Sequence, residues 1–212
     1  LFLFADEARM TGDTVFIVDD DEAIRDALIW LLQSRGLEAR GFPSAESFLK
    51  AWCPDLSGCL LLDIRMGGMS GLDLFDQLRD AGSALPVIFL TGHGDVPMAV
   101  SALKKGALDF VEKPFNDNEL VDRIVEALAW AARRRQQEAG SAGIAARLSS
   151  LSARERQVMD LVLAGKMNKV IADDLGITMR TVEVHRAHVF EKMGVKTAVE
   201  LAQLLPGVKG DR

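Results

Sequence analysis

Along the first two-thirds of the chain, short apolar runs alternate with amphipathic stretches. The runs are Val15–Val18, Leu37–Phe42 (broken by charges), Cys59–Leu62, Val87–Leu90 and Ala107–Val111. Each has the length of a strand, and the uncharged ones have the composition of a strand buried on both faces. Between them the apolar positions recur at helical spacing. Ile24, Ala27, Leu28, Leu31 and Leu32 share one face, with Gly36 as the stop. Phe48, Leu49 and Trp52 after Pro43-Ser44 give a second helix, and Leu72, Phe75 and Leu78 a third. Asp95 and Pro97 open a fourth that carries Val100 and Leu103, and Asp117 opens a fifth that carries Leu120, Ile124, Val125 and Leu128. Repeated strand–helix alternation predicts an α/β domain, a parallel sheet with helices on both faces.

Residues 131–149 break this pattern, and Gly140-Ser141-Ala142-Gly143 marks the expected flexible point of a linker. As a coil the segment would reach about 25 Å. Its first half can instead extend the fifth helix. Beyond it no strand signal remains. Ser152 with Glu155 three residues later fits a capping box ahead of Val158, Leu161 and Val162. Asn168 is the expected cap of a helix holding Val170, Ile171 and Leu175. Gly176 breaks the chain, and Thr178 caps a helix that buries Val182, Val189 and Met193. A last helix runs from about Thr197 to Leu205. Four short helices with a glycine turn between the second and third form a helix-turn-helix pattern.

Charge divides the chain at the same place. Residues 1–132 hold 11 Lys+Arg against 22 Asp+Glu, and residues 133–212 hold 14 against 9. An acidic front and a basic back predict two modules, the second suited to a polyanion. No apolar run approaches the roughly 18 residues of a membrane span, so no membrane partner is expected. Cys53 and Cys59 are too few for a disulfide framework or a zinc site, which fits packing roles and a reducing, cytoplasmic setting. Met10-Thr11-Gly12 reads as a start, so residues 1–9 read as an upstream extension. The expected domains are therefore an extension over 1–13, an α/β domain over 14–130, a linker over 131–147 and an all-α domain over 148–212.

The strong apolar runs end in polar groups. The first ends in Asp19-Asp20-Asp21, the third in Asp63, the fourth in Thr91, and the fifth is followed by Glu112-Lys113-Pro114. In a parallel sheet these ends share one rim, where binding groups collect. Crowded carboxylates need a cation or a proton. Oxygen donors without His or Cys favour Mg²⁺. The set suits phosphoryl transfer onto a carboxylate, with Asp63 as nucleophile, Mg²⁺ on the first-strand carboxylates and Lys113 stabilising the product.

Residues 14–130 resemble the receiver domain of two-component response regulators. The resemblance rests on Val18-Asp19-Asp20-Asp21, Leu61-Leu62-Asp63-Ile64-Arg65-Met66, Leu90-Thr91-Gly92-His93 and Asp109-Phe110-Val111-Glu112-Lys113-Pro114-Phe115. The run Thr91-Gly92-His93-Gly94-Asp95-Val96-Pro97-Met98-Ala99-Val100 is similar to the FixJ subgroup. The resemblance implies a five-stranded, doubly wound, CheY-like sheet. It implies Asp63 as phosphoacceptor, with Mg²⁺ on Asp20, Asp63 and the Arg65 carbonyl, and Asp19 in support. It further implies Thr91 and Phe110 as a switch pair and a cis Lys113–Pro114 bond that aims the lysine at the site. Where the family has proline after Arg-Met, this chain has Gly67-Gly68, which predicts a looser loop. Arg65 and His93 are placed to affect phosphoryl lifetime.

Residues 148–205 resemble the LuxR/FixJ-type helix-turn-helix domain through Leu151-Ser152-Ala153-Arg154-Glu155, Gly165, Asn168-Lys169, Ile171-Ala172, Leu175-Gly176-Ile177, Thr181-Val182-Glu183-Val184-His185-Arg186 and Lys192-Met193-Gly194-Val195. The resemblance makes the helix from Arg180 to Met193 the recognition helix. On it Arg180, Glu183, Val184 and Ala187 lie away from Val182, Val189 and Met193. Val184 and Ala187 suit thymine methyls, and Glu183 suits cytosine N4. Lys169, Thr178, Arg180, Thr181, Arg186 and Lys192 suit phosphates.

The combined reading is a regulator that takes a phosphoryl group from a sensor histidine kinase. It then pairs through a face at about 97–128 and binds promoter DNA as a homodimer. By analogy it activates transcription through RNA polymerase. A phosphatase working through Asp63 lacks a second acid two residues along, where Arg65 stands. A phosphate-independent pseudo-receiver does not account for the intact acidic set.

Overall fold

The computed structural model describes residues 13–92 and 96–205. The chain divides into two compact units, meeting at Arg135/Gln136. In the first, β1 (Thr14–Val18), α1 (Glu22–Ser34), β2 (Ala39–Phe42), α2 (Ala45–Ala51), β3 (Gly58–Asp63), α3 (Gly71–Asp80), β4 (Val87–Thr91), α4 (Val96–Lys104) and β5 (Asp109–Glu112) precede the long α5 (Asp117–Ser149). The strands form one parallel sheet in the order β2-β1-β3-β4-β5. The doubly wound α/β sheet expected from the alternation is therefore observed.

Period-two side-chain alternation sorts the strand residues onto two faces. Phe16, Val18, Leu60, Leu62 and Phe89 pack with Phe48, Leu74 and Phe75 of α2 and α3. Val15, Ile17, Leu61, Ile88 and Leu90 pack with Leu28, Leu32, Leu120 and Ile124 of α1 and α5. Phe16, Phe42 and Phe48 meet edge-on or tilted, at centroid distances of 5.2 to 6.4 Å. Apolar positions of the expected helices that are exposed instead include Ala27 on α1, Val100 on α4 and Val125 on α5. Cys59 is buried as a packing residue, whereas Cys53 is exposed.

Helix starts follow local chemistry. Asp21 caps α1 by accepting from the amides of Ala23 and Ile24, and Ser44 and Ser47 close a capping box on α2. Asp117 opens α5 as expected, and Asn116 just before it caps the helix through Oδ1. The linker expectation needs correction, because α5 is helical through residues 131–149. Apart from its glycines and serine, residues 131–148 are rich in Ala, Arg, Gln and Glu, strong helix formers. Its final turns also have something to pack on: Ile144 and Leu148 lie against the second core, and Arg147 donates to the Met193 carbonyl at 2.9 Å.

The second unit continues with α6 (Ala153–Leu163), α7 (Asn168–Leu175), α8 (Met179–Met193) and α9 (Ala198–Leu204) around Val158, Met159, Ile171, Val182, Val189, Met193 and Leu201. The Ser152–Glu155 capping box forms, Thr178 and Thr197 cap α8 and α9, and Gly176 ends α7 in the left-handed region at φ 62°. Asn168 does not cap α7. Met167 takes that position without a side-chain bond, and the Asn168 side-chain Oδ1 accepts from Arg186 at 2.7 Å. Among the described residues, no helix is long and apolar enough to cross a membrane.

Candidate functional site: an acidic rim and a helix-turn-helix

The carboxyl ends of β1, β3, β4 and β5 bring Asp19-Asp20, Asp63, Thr91 and Lys113 to one rim of the sheet. Oxygens of Asp19, Asp20 and Asp63 all lie within 4.8 Å of one another. Asp19 and Asp63 are buried and Asp20 is exposed. Lys113 Nζ donates to Asp19 Oδ2 at 2.7 Å and to Asp63 Oδ1 at 2.8 Å. The lysine therefore sits as the counter-charge between two buried acids.

The electrostatics follow from that geometry. Burial pushes the Asp63 carboxyl above its ordinary pKa, against the pull of Lys113, and the Asp19 charge adds to the rise. For Lys113, burial works to lower the pKa, but the bonds to Asp19 and Asp63 outweigh it and the net shift is upward. Asp21 has a different task, since its side chain caps α1 while its amide donates to Asp19 Oδ1 at 2.9 Å. Arg25 steadies the same turn by donating to the Asp19 carbonyl at 2.8 Å.

Thr91 is fully buried at the end of β4, and its hydroxyl donates to the Val111 carbonyl at 3.4 Å rather than to a carboxylate. Phe110 is half-buried against the core under α3 and α4. The Lys113–Pro114 bond is cis, and the Lys113 amide donates to the Thr91 carbonyl at 2.7 Å. The loop after Asp63 contains Arg65 and the two glycines. The Gly67 amide donates to Asp20 Oδ2 at 2.9 Å and the Met69 amide to Glu46 Oε1 at 3.0 Å, so the loop expected to be loose is tied twice. Sequence reasoning missed Glu46, which stands 23 positions from Met69 and carries no motif that links the two. His93 and Asp95 lie outside the described residues.

On the second unit, α7, the Gly176 turn and α8 form the helix-turn-helix. Arg180, Glu183, Val184 and Ala187 are exposed on α8, as is Lys169 on α7. Val184 is an exposed large apolar residue at 48%. Thr178 and Thr181 face each other at 2.8 Å, with the Thr178 hydroxyl also accepting the Thr181 amide. Two expected phosphate contacts are otherwise engaged. Arg186 bonds Asn168 and lies 5.5 Å from the Phe190 ring centre. Lys192 Nζ donates to Glu155 Oε2 at 2.7 Å and to the Ser150 carbonyl at 3.2 Å. Glu155 is the hub of this end of the unit. The bonds from Lys192 and from the Ser152 amide hold its carboxyl down at about 2, well below the usual range. Lys192 thus reads as a clamp on the capping box, a partner that local spacing along α8 does not reveal.

Comparison with known proteins places both halves. The response regulator receiver domain matches residues 15–125, and the bacterial regulatory proteins of the luxR family match residues 149–205. The C4-dicarboxylate transport transcriptional regulatory protein DctR of Rhodobacter capsulatus is 52% identical over 193 residues, covering 90% of this chain and 98% of that protein. The transcriptional regulatory protein FixJ of Rhizobium meliloti is 46% identical over 196 residues, covering 92% and 96%. The solved structure of the response regulator StyR matches with a TM-score of 0.87 at 43% identity, covering 92% of this chain and 98% of that one. The protein accordingly belongs to the FixJ-type two-component response regulators, transcriptional regulators in which a receiver domain precedes a LuxR-type helix-turn-helix DNA-binding domain.

Proposed function

We propose that Asp63 accepts a phosphoryl group from a phosphohistidine of a sensor kinase and that this controls promoter binding. The N–P bond of the donor breaks as a bond forms between phosphorus and an Asp63 oxygen, and the imidazole leaves. The observation that carries this reading is Lys113 between Asp19 and Asp63, beside an exposed Asp20. Among the described residues the cluster is three carboxylates, one of them open to water, a donor set that fits a hard divalent ion. Asp20, Asp63 and the Arg65 carbonyl would hold Mg²⁺, with Asp19 supporting; when bound, the ion offsets charge on the phosphoryl oxygens. Lys113 is placed to bond the phosphoryl group as well. The Thr91 hydroxyl, on a long bond to Val111, is free to turn toward it, and Phe110 to follow inward.

Phosphorylation then favours pairing through the face at about 97–128. Two copies present Arg180, Glu183, Val184 and Ala187 to base edges, and Lys169, Thr178, Arg180 and Thr181 to phosphates, where one modestly basic copy binds weakly. The paired form recruits RNA polymerase and activates transcription.

The test treats wild type and Asp63→Asn with acetyl phosphate and Mg²⁺. A phosphate-affinity gel is expected to show a shifted band for wild type alone. Identical oligomeric state and DNA affinity with and without the acyl phosphate would refute the control step.

A further inference from the structure

The loop that follows the phosphoacceptor is held from outside the acidic cluster as well as from within it. Ile64 and Gly71 close its base, with the Gly71 amide donating to the Ile64 carbonyl at 3.1 Å. Between them the Gly67 amide reaches Asp20 and the Met69 amide reaches Glu46. Gly68 adopts φ 86°, and a Cβ there would stand 3.0 Å from Glu46 Oε1, so the glycine makes room for the carboxylate. Glu46 projects from the first turn of α2, which is fixed by the Ser44–Ser47 capping box and by fully buried Ala45 and Phe48. Its own carboxyl is held below the ordinary range by bonds from its backbone amide, Met69 and Ser44.

We propose that Glu46 is a positioning residue for the phosphorylation site, acting through Met69 to hold the loop that presents the Arg65 carbonyl. The inference rests on the reading of Asp63 and the Mg²⁺ site above. Its physical basis is the glycine pair. Proline at position 67 would restrict the backbone but would have no amide to give Asp20. Glycine leaves the backbone free and supplies that amide. The Asp20 tether belongs to the cluster itself, so cation binding draws on the same carboxylate. The Glu46 tether is independent of it and supplies the order that the glycines do not.

Full-length wild type, Glu46→Ala, Glu46→Gln and Gly67→Pro, with Glu46→Ala also made in the Gly67→Pro background, separate the alternatives. Three quantities are read: exchange of the Met69 amide, Mg²⁺ affinity by calorimetry without phosphodonor, and the rate of phosphorylation by acetyl phosphate. Glu46→Ala is expected to speed Met69 exchange. It should also weaken Mg²⁺ binding and slow phosphorylation by about three- to tenfold, the effect of one lost hydrogen bond. Glu46→Gln keeps the acceptor oxygen and is expected to restore all three. In the Gly67→Pro background the loss from Glu46→Ala is expected to shrink, because the ring already restrains the loop and the two sites couple. A Cβ at Gly67 would stand 3.8 Å from Asp20 Oδ2, but the proline Cδ takes the place of the amide hydrogen that Asp20 accepts, so the Asp20 carboxylate turns away in that background and the effect of Glu46→Ala is read against Gly67→Pro itself.

Faster Met69 exchange with unchanged Mg²⁺ affinity and rate overturns the proposal. So does a glutamine variant that behaves like alanine, since charge rather than the tether would then be at work. If wild type takes no phosphoryl group while Mg²⁺ affinity still falls with Glu46→Ala, the phosphorylation reading fails and the tether stands.

Discussion

The two units treat a buried carboxylate in opposite ways. In the receiver, Asp63 is buried beside Asp19, and burial lifts its pKa despite Lys113. In the DNA-binding unit, Glu155 is just as hidden from solvent, yet its pKa is held at about 2 by Lys192 and the Ser152 amide. The difference lies first in desolvation, the largest influence on Asp63 and a lesser one on Glu155, and then in the ratio of donors to acids. Lys113 is shared by two carboxylates, whereas Glu155 alone receives a lysine and a backbone amide, with His188 Nδ1 3.6 Å away. The first arrangement keeps a charge in tension and ready for a further cation or a phosphoryl group. The second only fastens the start of α6. A reactive site is recognisable here as the place where the charges are not fully balanced.

The most severe way to break the contrast is to remove the shared cation. Lys113→Met leaves Asp19 and Asp63 facing each other in a buried site. The receiver is expected to lose about 3 kcal/mol in urea unfolding at neutral pH. Part of that loss should return on addition of Mg²⁺ and part at acid pH, where one carboxyl takes a proton. An unchanged unfolding midpoint would mean that the two acids are screened by solvent.

Asp63 and Glu155 respond to pH with opposite signs. A raised folded pKa contributes stability below the unfolded value of about 3.9 and loses it as pH rises through the folded value. Asp63→Asn is therefore expected to stabilise the receiver at neutral pH in the absence of Mg²⁺, with the gain over wild type vanishing in acid. Glu155 runs the other way. Its contribution is complete above the unfolded value of about 4.3 and is lost as pH falls toward the folded value of about 2. Glu155→Gln should destabilise the DNA-binding unit at neutral pH and flatten its acid unfolding between those values. Unfolding curves from pH 2 to 7 on the two variants check both signs, and variants that shift in the same direction would contradict the contrast.

The smallest effect separates binding from bracing on α8. Arg180 is exposed, while Lys192 is bonded to Glu155. Arg180→Ala is expected to weaken DNA binding and reduce the salt slope by about 1 per copy. Lys192→Ala should lower the melting temperature of the unit and leave the slope unchanged. A change of slope with Lys192→Ala would return that lysine to the phosphate contacts.

The legibility of the molecule follows the same division. Strands and helices are readable because their apolar periods are local. The acidic rim is readable because a parallel sheet gathers the carboxyl ends of its strands, so Asp19, Asp63, Thr91 and Lys113 meet although they lie up to 94 positions apart. Residues 131–149 misled for a physical reason. Gly140 and Gly143 carry a helix penalty of only about 1 kcal/mol each. The contacts of Ile144, Arg147 and Leu148 outweigh it, and those partners lie elsewhere in the chain. Asn168 misled likewise, and Arg186 and Lys192 hold partners that their spacing does not show. Each has the chemistry of its expected role, but its side chain is claimed by a residue on another helix or another turn.

The sequence by itself determined the two units, the order of their elements, the inward faces and the four polar ends that share a rim, because these depend on backbone periodicity and strand direction. Only the tertiary structure decided who holds whom. It gave one lysine to two acids, tied Met69 to Glu46, and set the exposed Lys192 against Glu155. Hydrogen bonds and ion pairs act over about 3 Å. Which long side chains come within that reach is set by the packing of separate elements, and spacing along the chain does not encode it.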